Sequence, residues 1–290
     1  MASASDVKPR LVECLRELHL PTFREEFEAL AHRAAQESLG YEQYLGELAE
    51  HECQARRTNR IERWLRESDL PLEKNLARFE MKQLPAKVAR QARTLLDGAF
   101  VDARENVLAF GRSGSGKTHL LCGIAQELVR SGRRVLFSSC SLLVQDLLIA
   151  KRDLRLNRCL KRFANFEVLM IDDLGYVQQS REEMEVLFTL LAERYERGSV
   201  MITSNLPFSK WESIFKDPMT TAAAIDRLVH HSVILELNVP SYRLEQARRG
   251  QQSAELPPQE TAANPESDGE PGPLQAAPGR RGRPPKKREM

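Results

Sequence analysis

Eight consecutive residues carry the clearest chemistry in the chain: Gly111-Arg112-Ser113-Gly114-Ser115-Gly116-Lys117-Thr118. The spacing, Gly then four residues then Gly-Lys-Thr, is that of a Walker A phosphate-binding loop. Glycines at 111, 114 and 116 let backbone N–H groups turn inward around phosphate oxygens. A helix expected to begin at Lys117 adds the partial positive charge of its N-terminus. Lys117 is placed to reach the β- and γ-phosphates of ATP, and the Thr118 hydroxyl to ligate Mg²⁺.

Three further segments end in polar residues that suit the same chemistry. Val168-Leu169-Met170-Ile171-Asp172-Asp173 is an apolar strand ending in two carboxylates, the Walker B pattern. Asp172 suits Mg²⁺ held through water, and Asp173 is placed to polarise an attacking water. Val200 to Asn205 is another apolar strand with a polar end. Asn205 could orient the lytic water or sense the γ-phosphate, although an Asn-Leu-Pro strand-end turn accounts for the same residues. In Ala224–His231, Arg227 could reach the γ-phosphate of a neighbouring subunit. On the sequence alone a surface salt bridge is the better explanation of it. His230 and His231 read as helix-end or packing residues, because no Cys/His partner set accompanies them.

These residues need a scaffold that brings several strand ends together. Strands are expected at Asn106–Phe110, Arg134–Ser138, Val168–Asp172, Ser199–Ser204 and Val233–Leu237. Helices are expected between them, including Lys117–Arg130, Leu142–Lys151 and Arg181–Arg197. Gly132 and Gly198 are read as left-handed C-caps. Such alternation means an α/β fold with a parallel five-stranded sheet flanked by helices. Ahead of it, residues 1–76 show only helical spacing, as in Leu11, Leu15 and Leu18. The expected organisation is therefore a helical N-terminal region over 1–76, a nucleotide-binding domain over 77–250, and a tail over 251–290. The tail is rich in Pro, Gly, Glu and Gln, lacks apolar periodicity, and is expected to be disordered.

The 290 residues hold 43 Lys+Arg against 41 Asp+Glu, so a net charge of +2 says little about partners. The distribution says more: residues 251–278 contain acid but no Lys or Arg, and the last eleven residues are densely basic. The five cysteines are scattered, without metal-binding spacing, and read as reduced thiols of a cytoplasmic protein. No segment approaches the ~20 apolar residues of a membrane span.

Taken together, Leu169–Tyr176, Ala192–Val200, Thr203–Ser209 and Asp226-Arg227-Leu228 resemble the IstB-like family. Its members are AAA+ ATPases that help insertion-sequence transposases and are relatives of bacterial helicase loaders and of the replication initiator. The resemblance covers roughly residues 10–250. It implies an AAA+ core, Asn205 at the sensor-1 position, Arg227 as an arginine finger acting in trans, and Arg243 as a sensor-2-type arginine. It further implies a homo-oligomer, a ring or spiral on double-stranded DNA, that recruits or activates a transposase. Arg112 departs from the more usual proline-containing loop. Asp173 is shorter than the Glu of many AAA+ enzymes, which implies slow hydrolysis.

Three basic features compete for DNA. Arg56, Arg57, Arg60 and Arg63 lie on an N-terminal helix that the family uses for DNA; a solvated amphipathic face would look the same. Lys151, Arg152, Arg155, Arg158, Lys161 and Arg162 lie between the second and third strands, where relatives line a DNA channel; a subunit interface is the other reading. Arg281 and Arg283 flank Gly282 in an Arg-Gly-Arg-Pro run that resembles an AT-hook, suited to narrow A·T-rich minor grooves, or else belong to a generic polybasic tail. Beside a DNA-binding, ATP-dependent transposition helper stand three alternatives: a helicase-loader-type ATPase of DNA replication, a small-molecule P-loop kinase, and a non-hydrolysing architectural DNA protein. Asn205, Arg227 and the basic tail argue against the kinase.

Overall fold

The computed structural model describes residues 4–175, 180–211, 218–239 and 241. The chain divides into two units, Met1–Arg248 and Arg249–Met290, and all described residues belong to the first. Arg243, Arg281 and Arg283 lie outside the described residues.

Strands β1 (Asn106–Gly111), β2 (Val135–Ser139), β3 (Val168–Leu174), β4 (Ser199–Ser204) and β5 (Ser232–Leu237) form one parallel sheet in the order β2-β3-β4-β1-β5. The expected α/β architecture is therefore present, and each strand lies within two residues of its expected bounds. Both faces are covered, as parallel strands require. Alternation along the strands divides the core in two. Leu108, Leu169, Ile171, Val200 and Ile202 face α7 (Cys140–Arg152), α8 (Leu156–Ala164), α9 (Arg181–Arg194) and α10 (Pro218–Val229). Val107, Ala109, Val168, Met170 and Met201 face α4 (Ala86–Leu95), α5 (Ala99–Asp102) and α6 (Lys117–Arg130).

The helices begin and end for local reasons. Ser139 caps α7 by accepting from the Leu142 N–H, and Ser180 with Glu183 forms a capping box at α9. Gly132 follows α6 with φ 99°, as a left-handed cap should. Gly198 does not play the expected capping part. Helix α9 ends at Arg194, and the positive φ falls on Glu196. Gly198 is there for space: a Cβ would lie 2.5 Å from an Arg194 guanidinium nitrogen. That guanidinium is buried and donates to the carbonyls of Phe163, Phe166, Glu167 and Ser199, tying α8, α9, β3 and β4 together.

The N-terminal helices are α1 (Ala4–Glu17), α2 (Pro21–Glu37) and α3 (Tyr41–Glu67). Proline at the first position of α2 leaves the next N–H groups without intrahelical partners. Glu52 of α3, buried at 3% exposure, accepts from two of them, Thr22 N (2.9 Å) and Phe23 N (3.4 Å). Its other oxygen accepts from Arg56 Nε at 2.7 Å. At the far end of α3 the chain reaches the sheet: the Ser68 carbonyl accepts from Phe137 N at 2.8 Å and covers the edge of β2. No helix among the described residues is long and apolar enough to cross a membrane.

Candidate nucleotide-binding site

Strand β1 ends at Gly111, the loop follows, and α6 starts at Lys117, so the phosphate-binding sequence sits between strand and helix at the C-terminal edge of the sheet. Lys117 is 5% exposed. Its Nζ donates to the carbonyls of Gly111 (2.8 Å) and Arg112 (2.9 Å), which holds the ammonium on the loop. Remote residues press on the loop from two sides. A Cβ at Gly111 would lie 2.5 Å from the Leu237 carbonyl, the Ser241 hydroxyl abuts Gly114, and a Cβ at Gly116 would lie 3.1 Å from the Phe79 ring. Larger residues at these positions would push the loop off its seat.

The carboxylates converge on the same point. Asp172 Oδ1 accepts from Thr118 Oγ1 at 2.8 Å and from Thr203 Oγ1 at 2.6 Å. The Thr203 hydroxyl in turn accepts from Asp173 N at 2.8 Å. Consecutive strand residues ordinarily point to opposite faces. Here the β3–β4 register shifts after Ile171, and Asp173 takes φ 59°. That bulge lets Asp173 line the cleft while Asp172 stays buried against Thr118. A hydroxyl and a carboxylate in contact are hard oxygen donors of the kind Mg²⁺ takes from protein when substrate phosphates supply the rest. Thr118 and Asp172 would hold that ion, whose chemistry is to neutralise phosphate charge.

The cleft in front of these groups has a volume of about 530 Å³, within the range of small-molecule sites. Ser113 to Thr118, Asp173 and Asn205 form one side. Arg78, Phe79, Gln83, Leu84 and Val239 are among the residues of the other. The Asn205 side-chain oxygen is buried and makes no hydrogen bond among the described residues, an acceptor reserved at the cleft. Burial pushes the Cys122 thiol, behind the loop in α6, up to about 12, which makes it a neutral packing group.

The structure does not gather every residue singled out from sequence. Arg227 lies elsewhere: its carbonyl and that of Leu228 face the Asn106 amide, at the start of β1. Its guanidinium stacks on Phe188, 4.7 Å from the ring centroid. Arg56, Arg57, Arg60 and Arg63 line one shallow groove on α3. Arg56 is committed to Glu52 and the His19 carbonyl, and Arg63 pairs with Glu67 at 3.8 Å. Lys151 pairs with Glu185 and Arg152 with Asp153, whereas Arg155, Arg158 and Lys161 are exposed without ion pairs among the described residues. Arg162 stacks on Phe163.

Two parts of the site escape a sequence reading. Thr203 sits in a run of strand residues, and only the pairing of β3 with β4 reveals its shared hydroxyl. The wall from Lys74 to Leu84 has no motif; its one local signal is Asn75, whose side chain caps the short turn Leu76–Arg78.

The family described as IstB-like ATP binding protein matches residues 13–250. An insertion-sequence ATP-binding protein of Sinorhizobium fredii is 41% identical over 239 residues, covering 82% of this chain and 80% of that one. An ATP-binding protein of insertion sequence IS5376 from Geobacillus stearothermophilus is 34% identical over 242 residues, 83% of this chain and 96% of that one. The crystal structure of the DnaC helicase loader superposes with TM-score 0.49 at 18% identity, covering 57% of this chain and 96% of that one. A phosphate loop, paired carboxylates and a match of this extent lead to one conclusion: the chain belongs to the IstB-like ATP-binding family.

Proposed function

We propose that this protein is an ATP-dependent DNA-binding transposition helper, which oligomerises on double-stranded DNA and recruits or activates the transposase of the same element. The observation that carries this reading is the bonded set Thr118–Asp172–Thr203–Asp173 at the mouth of the Walker A loop. It supports ATP hydrolysis with Mg²⁺: Lys117 and the loop N–H groups bind phosphate, Thr118 and Asp172 hold the metal, Asp173 polarises water, and Asn205 orients it. Relatives named for insertion sequences support the link to transposition.

Arg227 supports the oligomer. Its backbone is bonded at Asn106, while the loop starts at Gly111, roughly 16 Å away at about 3.3 Å per strand residue. An arginine so placed does not reach its own subunit's phosphates, which agrees with a role in trans. Arg243, in the sensor-2 role, completes the set. Arg57, Arg60 and Arg63 of α3, Arg155, Arg158 and Lys161 around α8, and Arg281 and Arg283 of the tail are the DNA contacts of this reading.

Electron microscopy with DNA and a non-hydrolysable ATP analogue tests it. Nucleotide-dependent rings or spirals are expected, and Arg227→Ala mixed with Lys117→Ala should regain ATPase activity that neither has alone. Monomers that persist under all conditions would remove the trans role of Arg227. The short Asp173 makes hydrolysis slow, a timer rather than a motor. Single-turnover rates for Asp173→Glu should then exceed wild type, and equal rates would withdraw the timer.

A further inference from the structure

His119, Gly123 and Gln126 are spaced four and three residues apart and so line one face of α6, and Gly116 is the cap just ahead of them. All four touch the same segment, Pro71–Phe79, which leads from α3 to the cleft. Gln126 Nε2 donates to the carbonyls of Pro71 (3.1 Å) and Lys74 (3.2 Å). At Gly123 a Cβ would lie 2.7 Å from Leu76 Cδ2 and 3.1 Å from Leu76 N, so the strap needs glycine there. A glycine inside a helix is otherwise a poor choice, and this close approach accounts for it.

Nearest the loop, His119 Nε2 donates to the Asn75 carbonyl at 2.9 Å. The same imidazole meets the Phe79 ring edge-on, centroids 5.2 Å apart at 67°. Phe79 also lies over Gly116 and lines the cleft beside Leu84 and Val239. The residue that follows Lys117 and Thr118 therefore holds Phe79, part of the other side of the cleft.

We infer that His119 is a positioning residue for the base of the nucleotide: it locks the Pro71–Phe79 strap onto α6 so that Phe79, Leu84 and Val239 present a wall to a flat heterocycle. Phosphates are served by the loop N–H groups and Lys117, which contribute nothing to a ring. A ring needs aromatic and aliphatic surface held in place beforehand. The seated strap supplies the aromatic part of that surface, Phe79. The inference rests on the ATP-binding reading of the cleft.

Calorimetric titration of the full-length protein with Mg²⁺–ATP and with Mg²⁺–tripolyphosphate separates the two halves of the cleft. His119→Ala should weaken ATP about tenfold, the scale of one well-placed aromatic contact, and leave tripolyphosphate within about twofold. His119→Gln, whose amide can still donate to the Asn75 carbonyl, should recover most of the loss. Phe79→Leu, which keeps apolar volume without the ring, should show the same ATP-selective loss. Equal weakening of both ligands, or unchanged ATP affinity, would overturn the assignment. Wild-type protein that binds tripolyphosphate as tightly as ATP would also overturn it while sparing the phosphate loop; binding of neither would overturn the nucleotide reading itself.

Discussion

Helices α6 and α3 are built on opposite terms. Of the 14 residues of α6, ten are buried, Lys117 and Gln126 among them. Of the 27 residues of α3, two are buried, Leu48 and Glu52. Neighbours on all sides specify α6: the sheet, α4 and the Pro71–Phe79 strap. Helix α3 is specified along a narrow seam with α2 and at its last turn. A helix of the first kind holds chemistry, because its buried side chains do not move without disturbing a neighbour. One of the second kind holds a surface, because its exposed residues change at little cost to the fold.

The largest test of this contrast is Thr203→Val. The change preserves shape but removes the hydroxyl shared by Asp172 and the Asp173 N–H. Turnover should fall by at least about tenfold, the worth of a buried hydrogen bond to a charged group, with nucleotide affinity much less affected. Steady-state ATPase measurements check this, and unchanged turnover would take Thr203 out of the site.

On α3, replacing Arg57, Arg60 and Arg63 together by Ala should leave unfolding almost unchanged. The salt dependence of DNA binding should become shallower by about two to three units of slope, near one per lost phosphate contact. An unchanged slope would make this face a solvated one.

Glu52→Gln is the smallest effect. Burial raises the Glu52 pKa, but the bonds from Arg56 and from Thr22 and Phe23 outweigh it and hold the carboxyl below its ordinary value. A lowered folded pKa contributes stability that is complete above the ordinary carboxylate range and is lost as pH falls through the lowered value. Denaturant unfolding at neutral pH should show a loss of about 1 kcal/mol, as for a helix cap, with the gap closing in acid. A gap that persists in acid would point to packing instead.

The same contrast explains what could be read from sequence. Helix α6 was legible to the residue, Lys117–Arg130, because a phosphate loop fixes its start and Gly132 its end. The strands were legible because apolar runs buried on both faces are bounded by polar punctuation. The end of α9 was misplaced because Gly198 looks like a cap; its real task, making room for Arg194, depends on a side chain four residues away and on carbonyls from three other segments. Thr203, the strap and Val239 were invisible for a related reason. Their partners lie 30 or more residues away in the chain, and no local period encodes them. Of the arginines picked out by charge, Arg56 turns out to be tied to Glu52; i,i+4 spacing offers that pairing to Arg56 and not to Arg57 or Arg60, but it does not tell that Glu52 is buried under the start of α2.

The bond between Ser68 and Phe137 ties the end of a long arm to the sheet edge. With 27 residues, α3 is about 40 Å long. The strap that lines the cleft with Phe79 is the continuation of that same arm, so one stretch of chain joins the far end of α3, the sheet edge and the wall of the cleft.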